Sequence, residues 1–131
     1  MTGRPKVLVV DDDAFIRRPL EFILREEGFD PLTAVDGDDC LRKLQAGRPD
    51  LIILDVMLPR MSGLDVCRRL RQNDLKTPVI MLTARGYVLD PGELAPTNIR
   101  YVMSKPFSAR EILDKVIELL APEGGSYRKS A

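Results

Sequence analysis

Two apolar runs in this chain end in carboxylates. KVLVV (Lys6–Val10) runs into Asp11, Asp12 and Asp13, and LIIL (Leu51–Leu54) runs into Asp55. If both runs are neighbouring buried strands, their acids empty into one crevice. Two like charges about 5 Å apart repel by roughly 3 kcal/mol at an effective dielectric near 20. Such a cluster persists where a cation sits in it, and carboxylate oxygens suit a hard ion such as Mg²⁺. Thr83, one residue past VIML (Val79–Leu82), brings a hydroxyl to the same rim, and Lys105, followed by Pro106, brings an ammonium. A carboxylate can serve as a nucleophile. A metal and a lysine together neutralise charge on the equatorial oxygens of a transferring phosphoryl group. These residues predict a phosphoryl-transfer site.

The elements that must position them alternate along the chain. The first apolar strand is followed by a helix over Ala14–Glu27, with Phe15, Ile16, Leu20, Ile23 and Leu24 at helical spacing and Gly28 as its stop. Pro19 falls inside that helix and predicts a kink. Pro31–Ala34 reads as a short strand whose proline suits only an edge. Asp36–Gln45 is a second helix, Leu51–Leu54 a fully apolar strand, PRMSG (Pro59–Gly63) a loop, Leu64–Gln72 a third helix, and Val79–Leu82 another apolar strand. The last helix opens on a capping box, Ser108 with Glu111, and runs to Pro122. Five strands alternating with helices, the central ones apolar throughout, predict an α/β fold: a doubly wound parallel sheet covered on both faces. Ligands of such sheets bind beyond the carboxyl ends of the strands, where strand order reverses. One stretch departs from the alternation. Between Thr83 and Lys105 a helix is due, but Gly86, Pro91, Gly92 and Pro96 interrupt it, so a loop or a short stub is expected.

Composition narrows the function classes. One domain is expected over residues 1–121, with residues 122–131 a flexible tail or linker remnant. Twenty basic and twenty acidic residues cancel, so no global field favours nucleic acid or a membrane, and no direct nucleic-acid binding is expected. There is no apolar run of the roughly 20 residues that span a bilayer. Cys40 and Cys67 read as small core residues in a reducing cytoplasm. With no histidine, the chain offers no imidazole base, zinc ligand or histidine phosphodonor of its own.

Four segments in order, VLVVDDD (Val7–Asp13), LIILDVMLPRMSG (Leu51–Gly63), VIMLTA (Val79–Ala84) and SKPF (Ser104–Phe107), resemble the receiver domain of two-component response regulators. The resemblance extends from about Lys6 to Ala121. It implies a flavodoxin-like sheet of strand order 2-1-3-4-5 and a Mg²⁺-dependent transfer of phosphoryl from a histidine kinase or histidine phosphotransfer protein. By the same resemblance Asp55 is the phosphoacceptor, and Asp11, Asp12, Asp55 and the backbone carbonyl of Met57 hold the metal. Thr83 and Lys105 contact phosphoryl oxygens, and the Lys105–Pro106 peptide is cis. Asp13 is left to cap the first helix. The implied product is a cytoplasmic signalling switch, monomeric or weakly dimeric, acting on a downstream protein. It turns over no external substrate.

Two departures from the family stand out. Receivers place an aromatic residue three positions before the lysine; here that position is Val102, and the tyrosine is one earlier, Tyr101. A one-residue shift moves a side chain to the other face of a strand. The spacing leaves no residue for a bulge, so the usual threonine–aromatic switch is expected to be absent. The missing helix before the fifth strand removes the usual output surface as well. Two rival readings are an unphosphorylated receiver-like interaction module and a small phosphatase with an Asp nucleophile. The second conflicts with Ala14-Phe15 after the acids and Pro106-Phe107 after the lysine. No helix-turn-helix or enzymatic output segment follows residue 121, which reads as a domain acting alone or as a piece of a longer regulator.

Overall fold

The computed structural model describes residues 3–73, 76–90, 92 and 98–121. In chain order the elements are β1 (Lys6–Val10), α1 (Ala14–Glu26), β2 (Asp30–Ala34), α2 (Gly37–Ala46), β3 (Leu51–Asp55), α3 (Gly63–Gln72), β4 (Val79–Thr83), β5 (Ile99–Ser104) and α4 (Ala109–Leu120). The strands form one parallel sheet in the order β2-β1-β3-β4-β5, as the resemblance implies.

Side-chain alternation explains why the central strands are apolar throughout. Leu8, Val10, Ile52, Leu54, Val79 and Met81 pack on the face covered by α2 and α3, with Cys40, Leu44, Cys67 and Leu70. Val7, Val9, Leu51, Ile53, Ile80 and Leu82 pack on the other face, with Leu20 and Leu24 of α1 and Ile112, Leu113 and Val116 of α4. Every second residue therefore enters a different core, and neither face tolerates a polar one. Both cysteines are free and buried there, and burial pushes each thiol up to about 12, which leaves them inert. β2, with its proline, is an edge strand.

The helix ends follow the expected chemistry. Asp13 caps α1 by accepting the Phe15 N–H at 2.9 Å. The capping box of α4 is reciprocal: the Glu111 N–H donates to Ser108 Oγ at 3.0 Å, and the Ser108 N–H donates to Glu111 Oε1 at 2.7 Å. Ser62 and Asp65 form a second such box, so α3 starts at Gly63 rather than Leu64. Gly28 ends α1 with φ at 95°. α1 runs through Pro19 without a break.

The expectation that the fifth strand has no residue to spare is corrected here. Val79 pairs with Ile99 but Ile80 pairs with Tyr101, so Arg100 is extra and β5 opens on a bulge. The bulge precedes Tyr101 and leaves the phase between Tyr101 and Lys105 untouched. Tyr101 accordingly packs in the α1–α4 core, while Val102, paired with Met81, faces the side of Thr83.

Between β4 and β5, residues 84–90 carry a turn but no helix, and Gly92 is helical. The remainder of that expected loop or stub, residues 91 and 93–97, lies outside the described residues, as does the expected tail, 122–131. No helix among the described residues is long and apolar enough to cross a membrane.

Candidate functional site

The sheet order reverses at β1, whose neighbours β2 and β3 lie on opposite sides of it. The carboxyl ends of β1 and β3 therefore flank the crevice, and the acids stand at both. One carboxylate oxygen from each of Asp11, Asp12 and Asp55 falls within 4.8 Å of the others. Asp11 and Asp55 are buried and Asp12 is exposed, so the cluster opens to solvent on the Asp12 side.

Backbone amides hold the two buried acids. Asp11 Oδ1 accepts the Asp13 N–H at 2.9 Å, and Asp55 Oδ1 accepts the Met57 N–H at 3.0 Å. Each bond spans two residues and closes a tight loop at the strand end, so side-chain direction is set locally. Asp11 Oδ2 is buried with no hydrogen-bond partner. A buried carboxylate oxygen with no partner carries its full desolvation penalty unless it is protonated or meets a cation. Asp11 is pushed up to about 6, by burial first and then by nearby Asp55 and Asp12, against the Asp13 N–H and Lys105, which lower it.

Thr83 and Lys105 complete the rim. Thr83 ends β4 and is buried, and its hydroxyl donates to the Met103 carbonyl at 3.5 Å, the outer limit of a hydrogen bond. The Lys105 N–H donates to the Thr83 carbonyl at 2.9 Å, which places the lysine directly beside the end of β4. The Lys105–Pro106 peptide is cis. All five predicted side chains thus come to one rim. Met57 joins them through its amide, with its side chain largely in solvent.

The donor set fits Mg²⁺. It consists of oxygens only, three of them carboxylates, and one buried oxygen lacks any other partner. The cluster includes no cysteine, which would favour a softer ion.

Three contacts around the site were not legible as such in the residue pattern. Arg17 Nη1 donates to the Asp11 carbonyl at 2.7 Å. Its position one helical turn past the Asp13 cap could have suggested that reach. Gly63 packs against the Asp55 backbone, and Arg60, in the loop between them, pairs with Asp36 at 2.6 Å. Neither follows from spacing alone.

Both the sequence and the fold have counterparts among known proteins. The family model described as "Response regulator receiver domain" matches residues 7–117. The chain is 43% identical over 115 residues to the alkaline phosphatase synthesis transcriptional regulatory protein PhoP of Bacillus subtilis, covering 88% of this chain and 48% of that protein. It is 42% identical over 115 residues to the DNA-binding response regulator MtrA of Mycobacterium tuberculosis, covering 88% of this chain and 50% of that one. Among solved structures, the chemotaxis response regulator CheY4 of Vibrio cholerae superposes with a TM-score of 0.81 at 32% identity, covering 90% of this chain and 100% of that chain. The Francisella response regulator 1452 receiver domain gives a TM-score of 0.81 at 32% identity, over 88% and 96% of the two chains.

The chain spans about half the length of the curated relatives it matches. Those relatives correct the expectation of no direct nucleic-acid binding, since MtrA is a DNA-binding response regulator by name. The neutral charge balance covers only the stretch aligned with half of such a protein, so it carries no information about the other half.

Proposed function

The chain belongs to the response regulator receiver family, and we propose that in it Asp55 accepts a phosphoryl group with Mg²⁺ as cofactor. The observation that carries this reading is the buried pair Asp11 and Asp55, clustered with Asp12 and with Asp11 Oδ2 unpartnered, at the crevice where the strand order reverses. Asp11, Asp12, Asp55 and the Met57 carbonyl would hold the metal. When bound, Mg²⁺ neutralises the carboxylates and draws charge from the phosphoryl oxygens.

The chain's own residues supply the rest. The Met57 N–H engages Asp55 Oδ1, which leaves Oδ2 as the attacking atom. Its lone pair forms the new O–P bond as the donor's N–P bond breaks, and that electron pair stays on the donor nitrogen. The Lys105 ammonium sits where it can offset charge on an equatorial oxygen. The Thr83 hydroxyl, weakly held by Met103, is free to turn toward a phosphoryl oxygen. Membership of the receiver family implies a histidine kinase or a histidine phosphotransfer protein as the donor, and none of the 131 residues is a histidine. The modified domain then changes its contacts with a downstream partner. In a protein of the length of PhoP or MtrA, that partner includes the remainder of the chain.

The test is incubation with acetyl phosphate and Mg²⁺, read by intact mass. One added phosphate in the wild type, absent without Mg²⁺ and absent in Asp55→Asn, is the expected result. Label mapped to another residue overturns the reading, and steady consumption of donor through Asp11 points to a phosphatase instead.

A further inference from the structure

The loop after Asp55 carries a fastening that the acid cluster does not explain. Arg60 holds φ at 66°, and among the described residues no other non-glycine residue has a positive φ. A side chain in this left-handed region crowds its own backbone, so such a residue persists where its surroundings hold it. The turn itself is closed by the Met61 N–H, which donates to the Pro59 carbonyl at 2.7 Å, and the guanidinium of Arg60 ties that turn to its surroundings. Nη2 lies 2.6 Å from Asp36 Oδ2, and Nε lies 4.0 Å from Asp38 Oδ2. Asp36 is already committed to α2, because its other oxygen accepts the Asp39 N–H at 2.7 Å and caps the helix. Packing follows the same line: a Cβ built on Gly37, the first residue of α2, would come 3.0 Å from Met61 Sδ. Arg60 thus clips the middle of the β3–α3 loop to the start of α2. One end of that loop is Met57, bonded to Asp55; the other is Gly63, pressed against the Asp55 backbone.

We infer that Arg60 is a positioning residue for the acceptor site. Through Asp36 it holds the loop so that the backbone at Met57 stays aligned with Asp55 and the cation-binding acids. This rests on the reading of Asp55 and its neighbours as a Mg²⁺-dependent acceptor. It makes the N-terminus of α2, which touches neither metal nor phosphate, part of the machinery that sets metal affinity.

A simple field effect predicts something different. The Arg60 side chain is 68% exposed. Acting only through space, loss of its positive charge would tighten Mg²⁺ binding, and loss of the Asp36 negative charge would weaken it. Positioning predicts that both losses weaken it.

The experiment uses the full chain as wild type, Arg60→Asn, Asp36→Asn and the double variant. Asparagine tolerates the left-handed region and caps a helix as well as aspartate, so neither change adds strain or removes the cap of α2, and what each loses is the Arg60–Asp36 tie. Mg²⁺ affinity is measured by calorimetry, and phosphorylation by acetyl phosphate is followed by intact mass. Each single variant should bind Mg²⁺ about 3-fold more weakly, in the range of an exposed but well-aligned ion pair. Each should be phosphorylated more slowly at fixed Mg²⁺, and the double variant should be no worse than either single one. Arg60→Lys should recover most of the loss, and thermal midpoints should stay near the wild type. Opposite signs for the two single variants, additive losses in the double, or unchanged affinity in a wild type that does bind Mg²⁺ would each overturn the inference alone. A wild type that neither binds Mg²⁺ nor accepts phosphoryl would overturn the acceptor reading along with it.

Discussion

Gly63 stands against the Asp55 backbone so closely that a Cβ on it would meet the Asp55 carbonyl oxygen at 2.5 Å and Val56 Cα at 2.9 Å. Both neighbours are backbone, and the Gly63 N–H donates to the Val56 carbonyl at 3.0 Å, so neither can move aside without breaking the junction. The acceptor aspartate and the first residue of α3 are therefore one packed unit. Gly63→Ala should cost roughly 1–3 kcal/mol, the usual range for overpacking. It should also weaken Mg²⁺ binding, because the displaced atoms belong to Asp55 itself. Thermal melting with and without Mg²⁺ checks this. A wild-type midpoint in Gly63→Ala would mean that the junction yields freely.

Asp11 offers a pH test. Its folded-state value is raised to about 6 from an ordinary 3.8, through burial first and then through Asp55 and Asp12. Between those values the folded state binds the proton more tightly than the unfolded chain does. The contribution to stability is thus fully present below about pH 4 and lost as pH rises through about 6, a change on the order of 3 kcal/mol. Metal-free wild type should lose this stability relative to Asp11→Asn on going from pH 4 to pH 7, since asparagine keeps the acceptor for the Asp13 N–H without the charge. Mg²⁺ should restore much of the deficit in the wild type and little in the variant. Parallel pH–stability curves for the two proteins in chelator would refute the prediction.

Much of this site was legible because its chemistry is written at strand ends. Apolar runs that stop at Asp11, Asp55 and Thr83 announce both the strands and the rim, and Ser108 with Glu111 announces a helix start by side-chain chemistry alone. What escaped was set by distant packing or by a choice of register. The bulge at Arg100 leaves no mark in spacing, because the residue count from Thr83 to Lys105 is unchanged whether the extra residue sits in the strand or in the preceding loop. Arg60 in the left-handed region has no residue-type signal, since glycine or asparagine is the usual occupant. The relation to DNA-binding proteins lay beyond the aligned stretch altogether.

Lys105 separates binding from transfer. Its ammonium offers the cation no ligand and attracts only part of the Asp11 charge, so Lys105→Ala should keep Mg²⁺ affinity within a small factor of the wild type. The loss should fall on the transfer step, where a charge aimed at the phosphoryl oxygens is missing, and be about 100-fold in the rate with acetyl phosphate. Stopped-time intact-mass measurements at saturating Mg²⁺ give that rate directly. A Lys105→Ala protein that transfers normally but fails to bind Mg²⁺ would reverse the two roles.

Tyr101 supplies the sharpest contrast with the family's usual arrangement. Its hydroxyl donates to the Glu118 carboxylate on α4, and the Lys115 ammonium stands 4.4 Å from its ring centroid. The hydrogen bond to Glu118 raises the phenol above its ordinary value. Tyr101 thereby ties β5 to α4 on the face away from Thr83, and the residue on Thr83's side is the half-exposed Val102. An aromatic ring on the far face cannot follow the threonine when its hydroxyl turns toward phosphate. Tyr101→Ala should therefore lower thermal stability by loosening β5 from α4, yet leave the phosphorylation rate within about two-fold, as expected for sites that share no partner. Tyr101→Phe, which keeps the ring under Lys115 and loses only the bond to Glu118, should fall between the wild type and Tyr101→Ala in stability. Phosphorylation that collapses in Tyr101→Ala but survives in Tyr101→Phe would place this ring in the switch after all.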